Sequence, residues 1–485
     1  MNIYFTNVFK VTQAQLDRYG AFNISLLSDL PLFIDPFLLF NSRKKRYQRL
    51  HAGIIEYLRF LRHRAQLSDL DSHLIDAWYR FPEVTQTWLG FSESGNRGRG
   101  LGREFAVSLH TNLYRIFDDF GSETITKGSH LEKLCLIKDR VGRDNISDFT
   151  TNLILAFLLE YTQTFARQHI AQGLRRVVTV NKARFNYDTE TWERDTYDLP
   201  WHQNDYVILV PKDILTRDET WINRTDLTRD FAQIPTAIPN AQLRWQIDNY
   251  FRRVLPQEPS KEERKRAIRL TVRKFPQLID YYILHKETRG DVAVSVSSQR
   301  VRESHHLYVQ QFGSLPEILS KNTDFYQCEG TTYEEAHMRV AFLKDVIENK
   351  GGHRIFYLNG VPVRRESDIH ILFRLTWLAT PSDVGREVNN GRGPVDFKIS
   401  RGAKDKTLVE FKLARNSQLR RNLRSQVRIY ERASDAKRSI KVIFYFSESE
   451  LKKVNEILRD LDLKTDPDIV LIDARSDNKP SGSKA

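Results

Sequence analysis

Two acidic residues and a lysine near the C-terminal end have the types and spacing that metal-dependent hydrolysis of a phosphodiester requires. Asp396 and Glu410 are separated by 14 positions, and Lys412 follows two positions after Glu410. Two carboxylates held close together repel each other, and a hard divalent cation with oxygen ligands relieves that repulsion. A neighbouring ammonium can orient or deprotonate the attacking water, or offset charge that develops on the phosphate. These residues therefore predict a Mg²⁺ or Mn²⁺ site in which Asp396 and Glu410 bind the metal.

A β-hairpin would position these side chains. Asp396 and Glu410 lie in short runs rich in apolar and β-branched residues, and the segment around Gly402 predicts a turn between them. Side chains alternate along a strand, so Glu410 and Lys412 point to one face while Phe411 points to the core. On adjacent strands, the two carboxylates can come together.

The flanking sequence supplies the other elements of an α/β unit. An amphipathic run that begins at Glu366 predicts a helix, and residues 383–388 predict the strand before the hairpin. Apolar residues recur at helical spacing between 419 and 430, and residues 440–446 are typical of a buried strand. We expect this unit to occupy residues 345–470.

This combination of motifs resembles the PD-(D/E)XK nuclease superfamily, which has the restriction-endonuclease-like fold. The Pro-Val-Asp string that ends at Asp396 and the Glu-Phe-Lys string that begins at Glu410 are similar to the two signature motifs of that superfamily. The resemblance implies an αβββαβ core. It also implies that the main-chain carbonyl of Phe411 completes the metal coordination.

Two further features resemble particular branches of the superfamily. Gln426 and Tyr430 match the Gln-X-X-X-Tyr element of RecB-like nucleases, and residues four apart share a helix face. Glu366 resembles the helix-borne acid of archaeal Holliday-junction resolvases. Glu387 is the alternative for that role, but it lies beside a Gly-rich turn, where it can bind backbone amides instead. The predicted catalytic residues are Asp396, Glu410, Lys412, Gln426, Tyr430 and Glu366.

The charge of the chain favours a nucleic-acid partner. The formal net charge is +13, and residues 401–440 contain twelve basic and four acidic side chains, a net charge of +8. Such a field attracts phosphate backbones and makes binding fall steeply with salt. A solvated basic helix face is the alternative interpretation. The residues that we predict to contact nucleic acid are Arg415, Arg420, Arg421, Arg424 and Arg428.

Length and composition constrain the rest of the molecule. A chain of 485 residues is expected to form two or three domains. The two cysteines favour a reducing compartment and argue against a disulfide scaffold or a zinc-cysteine site. The first residues lack the pattern of a signal peptide, and no apolar run approaches about 18 residues. We therefore expect a cytoplasmic protein that does not bind membranes.

The complete pattern predicts a mixed α/β, multidomain protein with a mostly helical N-terminal region. Helical periodicity is clear in residues 50–67, 103–117 and 146–170, and residues 256–349 are helical again, whereas residues 175–181 and 205–210 predict strands. The predicted divisions are an N-terminal region that recognises substrate or a partner (1–255), a helical connecting region (256–344), the nuclease domain (345–470) and a disordered tail (471–485).

Three other motifs are weaker. The Gly-rich loop at residues 95–102 lacks the Lys-Ser/Thr ending of a P-loop, so it predicts no nucleotide site. We interpret it as a hinge or a DNA-backbone loop, with a plain surface loop as the alternative. The polar clusters at residues 129–132 and 143–148 are interpreted as helix caps, and a second active centre is the alternative there.

The sequence thus predicts a Mg²⁺- or Mn²⁺-dependent nuclease that hydrolyses phosphodiester bonds. We expect its substrate to be DNA rather than RNA. A protein partner for the N-terminal region and an oligomer are both left open. A role in restriction, repair or anti-phage defence follows only from analogy with the superfamily. The alternative from another class is a catalytically silent subunit that binds nucleic acid or serves assembly. The presence of the Asp, the Glu and the Lys together argues against that alternative.

Overall fold

The computed structural model describes residues 3–66, 71–90, 106–107, 109–111, 113, 123–137, 141–314, 330–358, 360–363, 365–377, 380, 382–389, 394–402, 405–424 and 438–479, with the backbone alone at residues 385–389 and 394–395. In these residues the protein is mixed α/β, with helices predominating in the N-terminal part, as predicted. No helix in the described residues is long and apolar enough to cross a membrane.

The helices are, in chain order, α1 Phe5–Phe9, α2 Gln13–Tyr19, α3 Pro36–Phe40, α4 Lys45–Ala65, α5 Ser72–Tyr79, α6 Lys133–Ile137, α7 Arg143–Leu153, α8 Leu155–His169, α9 Arg224–Arg229, α10 Ala241–Val254, α11 Lys261–Lys274, α12 Gln277–Glu287, α13 Gly290–Ser304, α14 Thr332–Asn349, α15 Glu366–Leu375 and α16 Glu448–Asp460. The strands are β1 Leu32–Ile34, β2 Arg175–Asn186, β3 Thr191–His202, β4 Asp205–Tyr206, β5 Leu215–Arg217, β6 Tyr357–Leu358, β7 Val361–Pro362, β8 Asp383–Asn389, β9 Pro394–Arg401, β10 Asp405–Leu413, β11 Arg438–Tyr445 and β12 Ile469–Asp473. Residues 419–424 are also helical.

The N-terminal part confirms the predicted helices in α4, α7 and α8, but its strands differ from the prediction. The strand predicted for residues 205–210 is wrong after Tyr206, because residues 207–210 run as buried extended chain. Their backbone bonds to separate segments: the N–H of Ile208 donates to the carbonyl of Gln86 and that of Leu209 to the hydroxyl of Thr162. Strand β3 was not predicted, since its outward residues are polar and carry little hydrophobic pattern.

A five-stranded sheet near the C-terminal end holds the predicted hairpin. Its strand order is β12-β11-β10-β9-β8, with antiparallel pairing among β8, β9 and β10 and parallel pairing among β10, β11 and β12. Strand β11 is buried along nearly its whole length, as expected for a parallel strand covered on both faces. The helix predicted from Glu366 and the strands predicted around the hairpin are confirmed by α15, β8, β9, β10 and β11.

Helix α14 packs against this sheet through a buried polar network. Glu335 accepts hydrogen bonds from Arg339 at 2.8 Å, Ser382 at 2.6 Å and Arg401 at 2.7 Å, which ties α14 to the edge formed by β8 and β9. Residues 332–344 lie before the predicted 345–470 domain, yet they belong to its packing. At the other end, β12 occupies residues 469–473, so the prediction of disorder from residue 471 was wrong for the end of that strand.

A buried ion pair joins the N-terminal part to the helix that precedes the sheet. Arg217 of β5 donates to both carboxylate oxygens of Asp368 in α15, at 3.1 and 3.2 Å, and the Tyr308 hydroxyl donates to the same carboxylate at 2.7 Å. Asp368 is almost completely buried. The orientation of α15 therefore depends on contacts from both halves of the chain.

Candidate active site

Asp396 lies on β9 and is held through one of its carboxylate oxygens. The Oδ2 atom accepts a hydrogen bond from the backbone N–H of Phe411 at 2.6 Å, and it lies 3.4 Å from Nζ of Lys412 and 3.3 Å from Nε2 of His370. Burial raises the pKa of Asp396, but the charges of His370 and Lys412 and the Phe411 amide outweigh it. The net pKa lies well below the usual value, so this carboxylate is ionised.

Glu410 faces Asp396 from the neighbouring strand. In the antiparallel ladder Val409 pairs with Phe397, so the next positions, Asp396 and Glu410, are opposite each other and on one face. Glu410 is buried, and the structure shows no hydrogen bond from any described residue to its carboxylate. Burial is the main reason that its pKa rises to about 7, with Asp396 and Glu366 adding to the rise and Lys412 opposing it.

Lys412 carries the positive charge of the site. Its Nζ atom lies 3.4 Å from Oδ2 of Asp396 and 3.7 Å from Oε2 of Glu366. Burial lowers the pKa of Lys412, but Asp396, Glu366 and Glu410 outweigh burial and raise it above its usual value. In the metal-free protein this side chain is therefore an ammonium.

Glu366 is the first residue of α15 and contacts the end of the hairpin. Its Oε1 atom accepts hydrogen bonds from the backbone N–H of Leu413 at 3.1 Å and from Nδ2 of Asn416 at 2.9 Å. The structure thus brings Glu366 to the same lysine that contacts Asp396. The side chain of Glu387, the alternative for its role, lies outside the described residues.

His370 was missed by the sequence prediction. It is four positions after Glu366 on α15, so one helix face presents both side chains to the hairpin. The ring is buried against Phe397 and Phe411, with centroid distances of 5.6 and 6.2 Å. A histidine one turn after a predicted catalytic acid was the signal available in the sequence.

The residues predicted to contact nucleic acid have different environments. Arg415 is partly buried, with its guanidinium 5.1 Å above the ring of Phe446 and its Nε 3.4 Å from Glu450, so it packs against the protein. Arg420 pairs with Asp460 at 2.6 Å. Arg421 and Arg424 are exposed on the helix at 419–424. The remaining predicted residues, Gln426, Arg428 and Tyr430, lie outside the described part of the chain.

The donor atoms suit a hard cation held by two carboxylates. Among the described residues, no three His, Cys, Asp or Glu side chains are arranged to hold a metal ion. The predicted set is smaller, with Asp396, Glu410 and the carbonyl of Phe411. The hydrogen bonds and ion pairs that described residues form with Asp396 all go to Oδ2, so Oδ1 is open to a ligand on the side that they occupy. The buried Glu410 carboxylate likewise accepts no hydrogen bond from described residues. All three donors are oxygens, which Mg²⁺ prefers.

A second buried polar cluster lies in the N-terminal part, at residues interpreted as a helix cap. His130 and Glu132 are fully buried and do not cap a helix. Nε2 of His130 lies 2.9 Å from Glu287, and neither carboxylate oxygen of Glu132 has a hydrogen-bond partner among the described residues. Burial, and secondarily the charge of Asp35, raises the pKa of Glu132 well above its usual value, which favours the neutral form. The cap prediction for residues 143–148 holds only for Asn145, whose Oδ1 accepts a hydrogen bond from the backbone N–H of Gly142, the N-cap of α7. The other residues of this cluster lie within the helix.

Two segments of the chain match family models, and neither description names an activity. Residues 10–223 are similar to a domain of unknown function, DUF8370, and residues 332–448 to another, DUF8371. No curated protein and no solved structure matches the chain. The second segment begins with α14 and includes Glu366, Asp396, Glu410 and Lys412, so the whole candidate site falls within one matched segment.

The Gly-rich loop at residues 95–102 lies outside the described residues.

Proposed function

We propose that this protein is a metal-dependent nuclease that hydrolyses phosphodiester bonds in DNA at the hairpin β9–β10. The observation that carries the proposal is the convergence of Asp396, Glu410 and Glu366 on the ammonium of Lys412. The order of α15, β8, β9, β10, the helix at 419–424 and β11 supports it, because the PD-(D/E)XK resemblance implies that order. A buried charge cluster of this kind costs stability, so a purely structural role does not account for it.

The charges of the site assign different tasks to its residues. Asp396, through Oδ1, and Glu410 would hold Mg²⁺ or Mn²⁺ together with the carbonyl of Phe411. When bound, the ion would supply charge stabilisation for the phosphate and a more acidic water. Lys412 is held as an ammonium by three carboxylates, which favours its role in offsetting phosphate charge over a role as general base. Glu366, at the start of α15, would help to keep Lys412 in place.

The test is a cleavage assay with the intact protein. Linear, circular and single-stranded DNA, and RNA, would be incubated with Mg²⁺, with Mn²⁺ and with EDTA. We expect cleavage of DNA that requires the metal, and we expect Lys412→Ala to reduce it about 100- to 1000-fold, the usual effect of removing one charge-stabilising group. Lys452→Ala removes the same side chain from the exposed face of α16 and should leave cleavage unchanged.

Two results would contradict the proposal. Cleavage that persists in both Asp396→Asn and Lys412→Ala would place the reaction elsewhere in the protein. Binding of DNA without cleavage of any substrate, with either metal, would favour a catalytically silent binding subunit.

A further inference from the structure

Helices α10 and α11 form a positively charged surface. In the sequence they lie between the two segments that match family models. Residues 241–274 contain ten basic and four acidic side chains, a net charge of +6. The two helices pack against each other, and α11 also packs against α12. Both are fully described, and the side chains that point away from that packing are exposed. We define the α10–α11 surface by the exposed residues Trp245, Arg252, Lys261, Arg266, Arg269 and Arg273.

The basic side chains of this surface have no structural task that explains them. The structure shows no ion pair between any described residue and Arg252, Lys261, Arg266, Arg269 or Arg273. The negative end of the helix dipole stabilises Arg273 in the last turn of α11, but the positive end destabilises Lys261 at the first position. Glu262 interacts electrostatically with Lys261 and Arg269, and Glu263 interacts with Arg266. The basic side chains still outnumber the acidic ones, and clustered like charges repel each other and lower stability. They are explained if a polyanion binds there.

The spacing on α11 suits a phosphate backbone. Arg266, Arg269 and Arg273 follow each other at i, i+3 and i+7, on the side of the helix opposite the buried Ala267 and Ile268. At a rise of 1.5 Å per residue, they span about 10 Å. That length corresponds to about three nucleotides of a strand at 3.4 Å each.

An exposed aromatic side chain accompanies the charges. Trp245 on α10 is 67% exposed, and Arg252 lies seven positions later on the same face. Proteins hold single strands by combining basic side chains with exposed aromatic rings, since any base can stack on such a ring. A helix that binds a membrane surface instead exposes an apolar stripe, whereas the apolar residues of α11 are buried or half-buried.

We propose that the α10–α11 surface binds single-stranded nucleic acid, with phosphates along Arg266, Arg269 and Arg273 and a base stacked on Trp245. The proposal deepens the proposed nuclease function, because it assigns the surface that captures the substrate strand. It rests on residues far along the chain from the hairpin β9–β10. Binding and cleavage can therefore be tested separately.

The experiment measures binding of the full chain by fluorescence anisotropy in EDTA, in an Asp396→Asn background that excludes cleavage. The probes are labelled oligo(dT) and oligo(U) of about 20 nucleotides, a duplex of the same length, and vesicles of phosphatidylserine and phosphatidylcholine. Trp245→Ala should weaken single-strand binding about 5- to 150-fold, the range for loss of one stacked base, and should leave duplex binding nearly unchanged.

The triple variant Arg266→Gln, Arg269→Gln, Arg273→Gln tests the phosphate contacts. For single strands, the slope of log affinity against log salt should fall by about 2, since each lost contact removes about 0.7. The matched control, Arg18→Gln, Arg49→Gln, Arg302→Gln, removes the same charge from exposed sites on three separate helices and should leave the slope unchanged.

Three outcomes would overturn the assignment. Equal effects of the clustered and scattered triple variants would make binding a matter of net charge alone. An unchanged single-strand affinity in Trp245→Ala would remove the stacking contact. Binding of the anionic vesicles but not of the oligonucleotides would make the surface a membrane site. Failure of the nuclease proposal alone would appear as normal binding in this experiment and no cleavage by the native protein with Mg²⁺ or Mn²⁺.

Discussion

Replacing Glu410 by Gln should change how the stability of the metal-free sheet depends on pH. Burial raises the pKa of Glu410 from 4.5 to about 7 in the folded protein. The folded state therefore binds this proton more tightly than the unfolded state does. The contribution of the group to stability is present at low pH and is lost as pH rises from about 4.5 to 7.

The size of the effect follows from linkage. The pKa of Glu410 shifts from 4.5 to about 7 on folding, and between pH 5 and pH 8 this shift lowers the free energy of unfolding by about 2.5 kcal/mol. Glu410→Gln removes this pH-dependent contribution. The amide has its own cost of burial, but that cost does not depend on pH. The free energy of unfolding of the variant, relative to the native protein, should therefore rise by about 2.5 kcal/mol between pH 5 and pH 8.

The assay follows the sheet separately from the N-terminal part. Urea titrations in EDTA would be read by hydrogen exchange of peptides from β10, because a multidomain chain does not unfold in a single step. Glu456→Gln, an exposed change on α16, controls for loss of one negative charge. Addition of Mg²⁺ at pH 8 should stabilise the native protein, by about 2.7 kcal/mol at a hundredfold excess over Kd, and should not stabilise Glu410→Gln.

Parallel pH profiles for the native protein and Glu410→Gln would refute the reasoning, since they would mean that the carboxylate is not desolvated. Equal stabilisation of both proteins by Mg²⁺ would show that Glu410 does not bind the metal.

Three further predictions concern the elements that support the site. Glu335→Ala should lower the free energy of unfolding by about 3–5 kcal/mol, because it leaves the fully buried Arg339 without its carboxylate, and urea titration of β9 and β10 would measure it. Asp368→Ala should cost a similar amount by removing the buried partner of Arg217, which keeps only the more exposed Asp218, and should lower the cleavage rate because α15 carries Glu366. Gly402→Ala should cost only about 1 kcal/mol in a thermal melt, since Gly402 has a φ of 69° but an added Cβ would meet no described atom within 4 Å.

Neighbouring substitutions serve as controls for these predictions. Glu334→Ala removes an exposed carboxylate beside Glu335, where it caps α14, and should cost no more than about 1 kcal/mol. A Glu335→Ala protein as stable as Glu334→Ala would contradict the importance of the buried network. If Asp368→Ala lowers stability but leaves the cleavage rate unchanged, α15 does not position the site. A loss of several kcal/mol in Gly402→Ala would mean that the turn packs against other residues.

Local pattern was enough to place the elements of the site. Strands β9 and β10 follow from short runs rich in apolar and β-branched residues, α15 from its amphipathic run, and β11 from a continuous apolar segment. Each of these signals depends on neighbours within a few residues, which is why the sequence by itself contained them. The opposition of Asp396 and Glu410 also follows from the length of the hairpin, since register within a hairpin is a local property.

Tertiary structure decided what surrounds those residues. The contact of Glu366 with Leu413 and that of His370 with Asp396 join α15 to the hairpin across tens of positions, and no periodicity encodes such pairs. The buried segment at residues 207–210 bonds to Gln86 and Thr162, which are far away in the chain, whereas β3 pairs with the neighbouring strand β2. The ionised state of Asp396 and the raised pKa of Glu410 were likewise settled by burial and by neighbouring charges, which exist only once the chain has folded.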